Sequence, residues 1–307
     1  MSGLKGGLMD ADSATVNHTN GACVPTLAED LVRLLATSPD LPTLPETVLD
    51  LMGLLRREDV ASSEITERIR RDPALSARIL RAANGAAIAR AGVSVATVES
   101  ALARLGLRRV GSLCLAVETI RAFDGAGRLD HRAFWEHSFT VASVAVAIGE
   151  AATVPDSGDL YMAGLLHDVG LLVLDQRLPA AYEQVVDEAP SGVPRSHWER
   201  EVLGMDHGGI AAHLLGRWSM PETMVAAVGG HHASAGVEVS SAGALVLRAA
   251  EGLIVEYGLA LEAEEGWQED VDAALRGLGL TPERGERLRV SLAGVAMESA
   301  GLLRATV

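Results

Sequence analysis

The spacing of apolar residues constrains this sequence more than any other feature. From Leu27 onward, aliphatic residues recur at intervals of three and four, which places them on one face of an α-helix. The strict two-residue alternation that is typical of half-buried strands is nearly absent. The pattern therefore predicts an all-α fold, a bundle of many helices.

Residues with capping chemistry mark several predicted helix ends. Asp72 followed by Pro73 predicts an N-cap and a proline at the first helical position. Gly106 predicts the end of a later helix, because glycine readily takes the conformation that closes a helix. Ser219, three residues before Glu222, has the spacing of a capping box, which predicts a helix beginning there.

Charge and cysteine content exclude several classes of function. The 26 Lys and Arg against 41 Asp and Glu give a net charge of −15, which argues against nucleic-acid binding through broad phosphate neutralisation and against docking onto anionic membranes. No apolar run approaches the roughly 18 residues that a membrane span needs. Cys23 and Cys114 lie far apart, so neither a disulfide framework nor a thiolate zinc site is expected, and the cytoplasm is the predicted location.

Five of the nine histidines share one kind of position, on or at the end of an apolar predicted helix. They are His137, His167 (beside Asp168), His207, His231 and His232. Imidazole and carboxylate groups hold divalent transition metals and leave positions open for water. The pattern favours a shared metal site, although each histidine alone has a simpler interpretation as a hydrogen-bonded or helix-terminal residue. That simpler interpretation is given to His18, His131, His197 and His213.

Several segments in order resemble the HDOD domain, the HD-related output domain of bacterial signalling proteins. They are LPTLPETVLDLMGLL, ITERIRRDPALSARILRAAN, VESALARLGLRRVGSLCLAV, FWEHSFTVASVAVAIG, YMAGLLHDVGLLVLDQRLPAAY and EREVLGMDHGGIAAHLLGRWSMPETMVAAVGGHH. The resemblance implies an HDOD domain over residues 41–237. Its two parts are an N-terminal helical subdomain (41–125) and an HD-like subdomain (131–237). Residues 1–26 are expected to form a disordered leader and residues 238–307 a C-terminal helical extension.

The resemblance also implies a ligand set for one or two divalent ions such as iron or manganese. One ion would take His137, His167, Asp168 and Glu251, where Glu251 replaces the aspartate usual in the family. A second ion would share Asp168 as a bridge. Its other ligands would be His207, His231 and His232.

Two departures separate the chain from the related HD-GYP enzymes that hydrolyse cyclic di-GMP. Those enzymes place a phosphate-binding lysine after the His-Asp pair, whereas this sequence continues Val169-Gly170-Leu171. Loss of a charge-assisted phosphate contact costs roughly 1.5–3 kcal/mol. The Gly-Tyr-Pro loop is also missing after His232. Cyclic di-GMP hydrolysis by the usual route is therefore not expected.

Two functions stay open at this point. The first is a regulatory module that binds a signalling protein, in which any bound metal is structural or vestigial. The second is a metal-dependent phosphohydrolase, in which Asp168 orients the attacking water. In either case an amphipathic terminal helix over residues 286–303 could pair with a second copy and form a homodimer.

Overall fold

The structure is a computed structural model that describes most of residues 27–303. The gaps within this range are 38–40, 42, 44–45, 56, 58, 85–94, 124, 126, 155–156, 233–240 and 262–270. The predicted leader, residues 1–26, lies outside the described residues. Within the described ranges every regular element is an α-helix, which confirms the predicted all-α class.

The first six helices form the N-terminal part of the chain. They are α1 (Leu27–Thr37), α2 (Glu46–Leu55), α3 (Ser62–Arg70), α4 (Pro73–Ala83), α5 (Val98–Leu105) and α6 (Leu107–Ala122). Helices α2 to α6 enclose an apolar core of their own, in which Leu51, Ile65 and Ile79 are fully buried. Helix α1 packs instead on α11 and α12, which are described next.

The remaining ten helices follow the glycine-containing seam before residue 131. They are α7 (His131–Ala151), α8 (Ser157–Leu166), α9 (Val169–Arg177), α10 (Pro179–Asp187), α11 (Arg195–Leu203), α12 (His207–Arg217), α13 (Glu222–Gly229), α14 (Ala242–Glu256), α15 (Val271–Gly277) and α16 (Pro282–Leu303). Helix α7 is central, since α8, α14 and α16 all pack along it. None of the helices among the described residues is long and apolar enough to cross a bilayer.

The predicted helix ends at Asp72 and Gly106 are confirmed. The carboxylate of Asp72 accepts hydrogen bonds from the backbone N–H groups of Ala74 and Leu75, at 2.9 and 3.0 Å, and so satisfies two donors of the first turn of α4. Gly106 closes α5 with a positive φ of 81°, a conformation that costs glycine little.

The predicted capping box at Ser219 is wrong. Helix α13 begins at Glu222, and the residue before it, Pro221, makes no side-chain cap. Ser219 takes a positive φ of 54° and lies in the turn that follows α12. Ser219 therefore belongs to the turn after α12 and does not cap α13.

The C-terminal helices are part of the main apolar core. Buried residues of α14, such as Leu247 and Leu253, belong to the same cluster as those of α7 and α8. Arg289 of α16 pairs with Glu256 and Asp272, at 2.8 and 3.0 Å, and so joins α14, α15 and α16. Because α14 lies beyond the predicted boundary at residue 237, the segment that follows this boundary helps to build the central bundle.

Candidate metal centre

The fold brings the seven predicted ligand residues to one place inside the HD-like part. His137 projects from the middle of α7, and His167 and Asp168 form the turn between α8 and α9. His207 is the first residue of α12, His231 and His232 follow α13, and Glu251 lies in α14. Six of these side chains are at most 8% exposed, and His232 is half-buried.

The first donor set consists of His137, His167 and Glu251. One oxygen of Glu251 (Oε1) lies 3.1 Å from Nε2 of His137 and 2.7 Å from Nε2 of His167. Donor atoms held by one ion at about 2.1 Å lie at most about 4 Å apart. These separations suit ligands that surround a single small cation.

The second donor set consists of Asp168, His207, His231 and His232. Nε2 of His207 lies 3.2 Å from Oδ1 of Asp168 and 2.7 Å from Nε2 of His232. Nε2 of His231 lies 3.6 Å from the same Asp168 oxygen. Four donor atoms on three different elements therefore face a common point.

Asp168 stands between the two donor sets and offers one oxygen to each. Its Oδ1 faces His207 and His231, while its Oδ2 lies 3.1 Å from Nε2 of His167 and 3.7 Å from Nε2 of His137. This is the arrangement of a carboxylate that can bridge two ions. The bridging role that the resemblance implied for Asp168 is compatible with this geometry.

Hydrogen bonds behind the histidines fix which nitrogen points inward. Nδ1 of His167 lies 2.7 Å from the carbonyl of Gly164, and Nδ1 of His231 lies 2.5 Å from the carbonyl of Val228. A carbonyl oxygen only accepts, so each Nδ1 is the protonated nitrogen, and the neutral ring then keeps its Nε2 lone pair for the centre. Metal-bound histidines are commonly held in this way.

The central atoms also lack ordinary hydrogen bonds. Nε2 of His167, Nε2 of His231 and Oδ1 of Asp168 are buried and have no aligned hydrogen-bond partner among the described residues, although they lie close to one another. Buried polar atoms are normally hydrogen-bonded, so a cluster of exceptions at one point needs an explanation. A divalent cation would satisfy all three atoms, and the residues present therefore fit such an ion.

A family model matches residues 41–234, close to two thirds of the chain, and its description is the HDOD domain. The chain belongs to the HDOD domain family. The match begins at the predicted residue and ends three residues before the predicted boundary, so the family model stops short of Glu251.

Solved structures of other proteins share this fold over most of the chain. A protein of Shewanella amazonensis provisionally named a phosphohydrolase is 24% identical, with a TM-score of 0.72, and the match covers 90% of this chain and 98% of that one. A protein of Marinobacter aquaeolei provisionally named a signal transduction protein is 27% identical, with a TM-score of 0.70. The match covers 92% of this chain and 62% of that one.

An uncharacterised protein of Treponema pallidum is 27% identical over 206 residues, which is 63% of this chain. The match spans only 38% of that relative, so the relative is much longer than the shared HDOD region.

The electrostatics of this HDOD centre are dominated by close imidazole–carboxylate pairs. Burial alone would lower the pKa of His167, but the charges of Asp168 and Glu251 outweigh burial and raise this pKa to about 10. Burial raises the pKa of Asp168 and Glu251, yet the adjacent imidazoles hold both pKa values below the ordinary range. Without metal, His167 is therefore a buried cation between two carboxylates at neutral pH.

The two histidines at the edge of the second donor set behave in opposite ways. Burial works against the charged form of His207, but Glu199 and Asp168 raise its pKa well above the usual value. Burial and the neighbouring imidazoles lower the pKa of His232. His232 is therefore a neutral donor at physiological pH, next to a charged one.

The position that holds lysine in HD-GYP enzymes is part of the apolar core in this chain. Leu171 lies in α9, is 2% exposed and belongs to the main apolar core. Its side chain offers neither charge nor a polar contact to a phosphate group.

Sequence analysis missed two residues that support the centre, Glu199 and Arg200 of α11. Glu199 is fully buried and hydrogen-bonds His207, but in the segment RSHWEREVL it has the character of a solvent-exposed charge. The simpler interpretation of other histidines agrees with their contacts, since His213 lies 2.8 Å from the carbonyl of Leu35, away from the centre. His18 lies outside the described residues.

Proposed function

We propose that this HDOD protein is a bacterial signalling module that acts through protein–protein interaction and contains a divalent metal at its centre. The observation that carries the proposal is the enclosed donor set. Imidazole and carboxylate groups from five segments face one point: α7, the α8–α9 turn, α12, the residues after α13, and α14. Six of the seven side chains are at most 8% exposed. Ions there would tie these elements into one rigid unit.

The enclosure favours a structural or regulatory ion over an open catalytic one. A catalytic centre needs room for substrate and groups that bind it, and Leu171 supplies no cation for a phosphate. The net charge of −15 is the reason to expect a protein partner rather than nucleic acid or an anionic membrane surface, and the cysteine content is the reason to expect that partner in the cytoplasm. The Marinobacter protein, named provisionally for signal transduction, shares this fold.

A metal-dependent phosphohydrolase is the second candidate, because Asp168 directs one oxygen to each donor set. When bound, two bridged divalent ions supply a nucleophile at neutral pH and neutralise charge on a phosphoryl group. Asp168 would hold such ions through its two carboxylate oxygens, and His232, the least buried of the seven residues, would be the one most accessible to a phosphate ester. The Shewanella amazonensis protein of similar fold is provisionally named a phosphohydrolase.

One experiment on the full chain separates these candidates. The protein is purified without chelator, its metal content is measured, and phosphate release from generic phosphodiesters is assayed with added Mn²⁺ or Fe²⁺. Bound metal without turnover supports the signalling module. Turnover that Asp168→Asn abolishes, and that the exposed control Asp187→Asn leaves intact, supports the hydrolase; absence of both metal and turnover contradicts both candidates.

A further inference from the structure

Helix α11 contributes no ligand to the metal centre, yet two of its adjacent side chains contact the second donor set. We propose that Glu199 is a positioning residue that orients His207, so that the second donor set, and not the first, depends on α11 for its metal affinity. This inference rests on the proposed metal binding and adds to it a residue that controls one of the two sites.

Glu199 makes two bonds to the same residue. Its Oε2 accepts the backbone N–H of His207 at 2.7 Å and the ring Nδ1–H of His207 at 2.6 Å. The carboxylate is fully buried, and burial of an ionised group is costly unless it is paired and hydrogen-bonded. A single oxygen that holds both the backbone and the ring of His207 restricts the side-chain torsions of this histidine.

The consequence of the second bond is a defined ring orientation. With Nδ1 donating to Glu199, Nε2 of His207 faces Oδ1 of Asp168 at 3.2 Å and Nε2 of His232 at 2.7 Å. The negative charge behind the ring also makes Nε2 a stronger donor to a cation. Glu199 therefore acts on the centre through His207, the ligand to which it is hydrogen-bonded.

The neighbouring residue, Arg200, fixes the backbone around the same donor set. Its guanidinium pairs with the carboxylate of Asp206 and lies 3.4 Å from the carbonyl of His232. Asp206 in turn accepts the N–H of Gly209 at 2.8 Å and caps α12. Helix α11 thus contacts both the start of α12 and the segment that follows α13.

The first donor set has different supports. His167 is oriented by the carbonyl of Gly164 in the preceding helix α8, and His137 contacts Glu251 directly. No hydrogen bond joins α11 to these three residues among the described contacts. Loss of the Glu199 charge should therefore weaken one site and spare the other.

The test is a Co²⁺ titration of the chelator-treated full chain. Binding at each site is monitored through the visible d–d absorption bands of the bound ion. Glu199→Gln removes the charge but keeps a side chain of the same shape, and Glu201→Gln makes the same change at an exposed position of α11. We expect Glu199→Gln to weaken one Co²⁺ site by about 10–100-fold. The other site, and both sites of Glu201→Gln, should match the wild type.

Two further variants identify the affected site. His231→Ala should remove the same spectral component that Glu199→Gln weakens, whereas His137→Ala should remove the other. In the His207→Ala background, Glu199→Gln should cause no additional loss of Co²⁺ affinity, which a general destabilisation of the fold would not reproduce.

The outcomes separate the two claims. If the wild type binds no Co²⁺, the proposed metal function itself fails. If the wild type binds Co²⁺ but Glu199→Gln leaves affinity unchanged, or weakens both sites equally, the positioning role is wrong while metal binding stands. A folded Glu199→Gln protein is recognised by its circular dichroism, and if this variant does not fold, the same comparison is made with Glu199→Asp.

Discussion

The contact between α9 and the start of α12 gives a sharp test of how the centre is assembled. Gly170 lies two residues after Asp168, and its backbone packs against His207. A Cβ atom at residue 170 would lie 2.0 Å from the carbonyl oxygen of His207, whereas real Cβ contacts are essentially never shorter than 3.0 Å. Gly170→Ala must therefore push α9 and the first turn of α12 apart by an ångström or more.

This displacement has two measurable consequences. Overpacking against rigid backbone costs about 1–3 kcal/mol, partly offset by the better helix propensity of alanine. For a chain of this size we expect Tm to fall by about 2–10 °C. Asp168 and His207 must also separate from their 3.2 Å contact, and metal sites tolerate changes of only about 0.2 Å in ligand position.

The assay compares Gly170→Ala with Gly216→Ala, a matched change on α12. A Cβ at residue 216 meets nothing within 4 Å, so Gly216→Ala should match the wild type in Mn²⁺ binding and should equal or slightly exceed it in Tm, because alanine favours the helix. Thermal unfolding in chelator measures the packing cost, and Mn²⁺ titration measures the loss at the second donor set. Equal stability and equal Mn²⁺ affinity for the two variants would refute the close approach on which this reasoning depends.

Three other predictions follow from single contacts. Asp175 is buried and accepts the backbone N–H of Arg128 at 2.7 Å, so Asp175→Ala should lower the free energy of unfolding by about 1.5–3 kcal/mol in urea titration, and Asp175→Asn by less; equal losses would contradict a hydrogen-bonding role. Asp130 caps α7 through two backbone N–H groups, so Asp130→Ala should cost about 0.5–2 kcal/mol by the same measurement, and no change would contradict the cap. The pKa of His167 is raised from 6.5 to about 10 without metal, so this group stabilises the metal-free fold fully below pH 6.5 and loses that effect as pH rises toward 10. A cation must displace the His167 proton, so Mn²⁺ affinity should increase about tenfold per pH unit between pH 6 and 8 in calorimetric titrations, and a flat profile would contradict the raised pKa.

Much of the fold is predictable from sequence because helix periodicity and capping are local properties. Asp72 and Gly106 cap their helices through contacts within a few residues, and both predictions are confirmed. The capping-box prediction at Ser219 is wrong because this residue lies in the turn after α12 with a positive φ, whereas an N-cap residue is typically extended. A local sequence pattern cannot show which backbone conformation the tertiary fold will impose on such a residue.

The metal centre is predictable in its residue types but not in its arrangement. Five histidines and two carboxylates were identified from the pattern and the resemblance, and the structure brings them together. The division of the Asp168 oxygens between two donor sets depends on how α7, α9 and α12 pack, which spacing does not encode. Glu199 was missed because it lies two residues from the exposed Glu201, and only tertiary packing distinguishes the two glutamates.

The most direct test of the metal centre is anomalous X-ray diffraction from crystals of the full chain grown with Mn²⁺. We predict an anomalous peak among His137, His167 and Glu251 and a second among His207, His231 and His232, with Asp168 contacting both. An electron-density map with ordered side chains and no anomalous signal at these positions would contradict the metal centre and the function proposed from it.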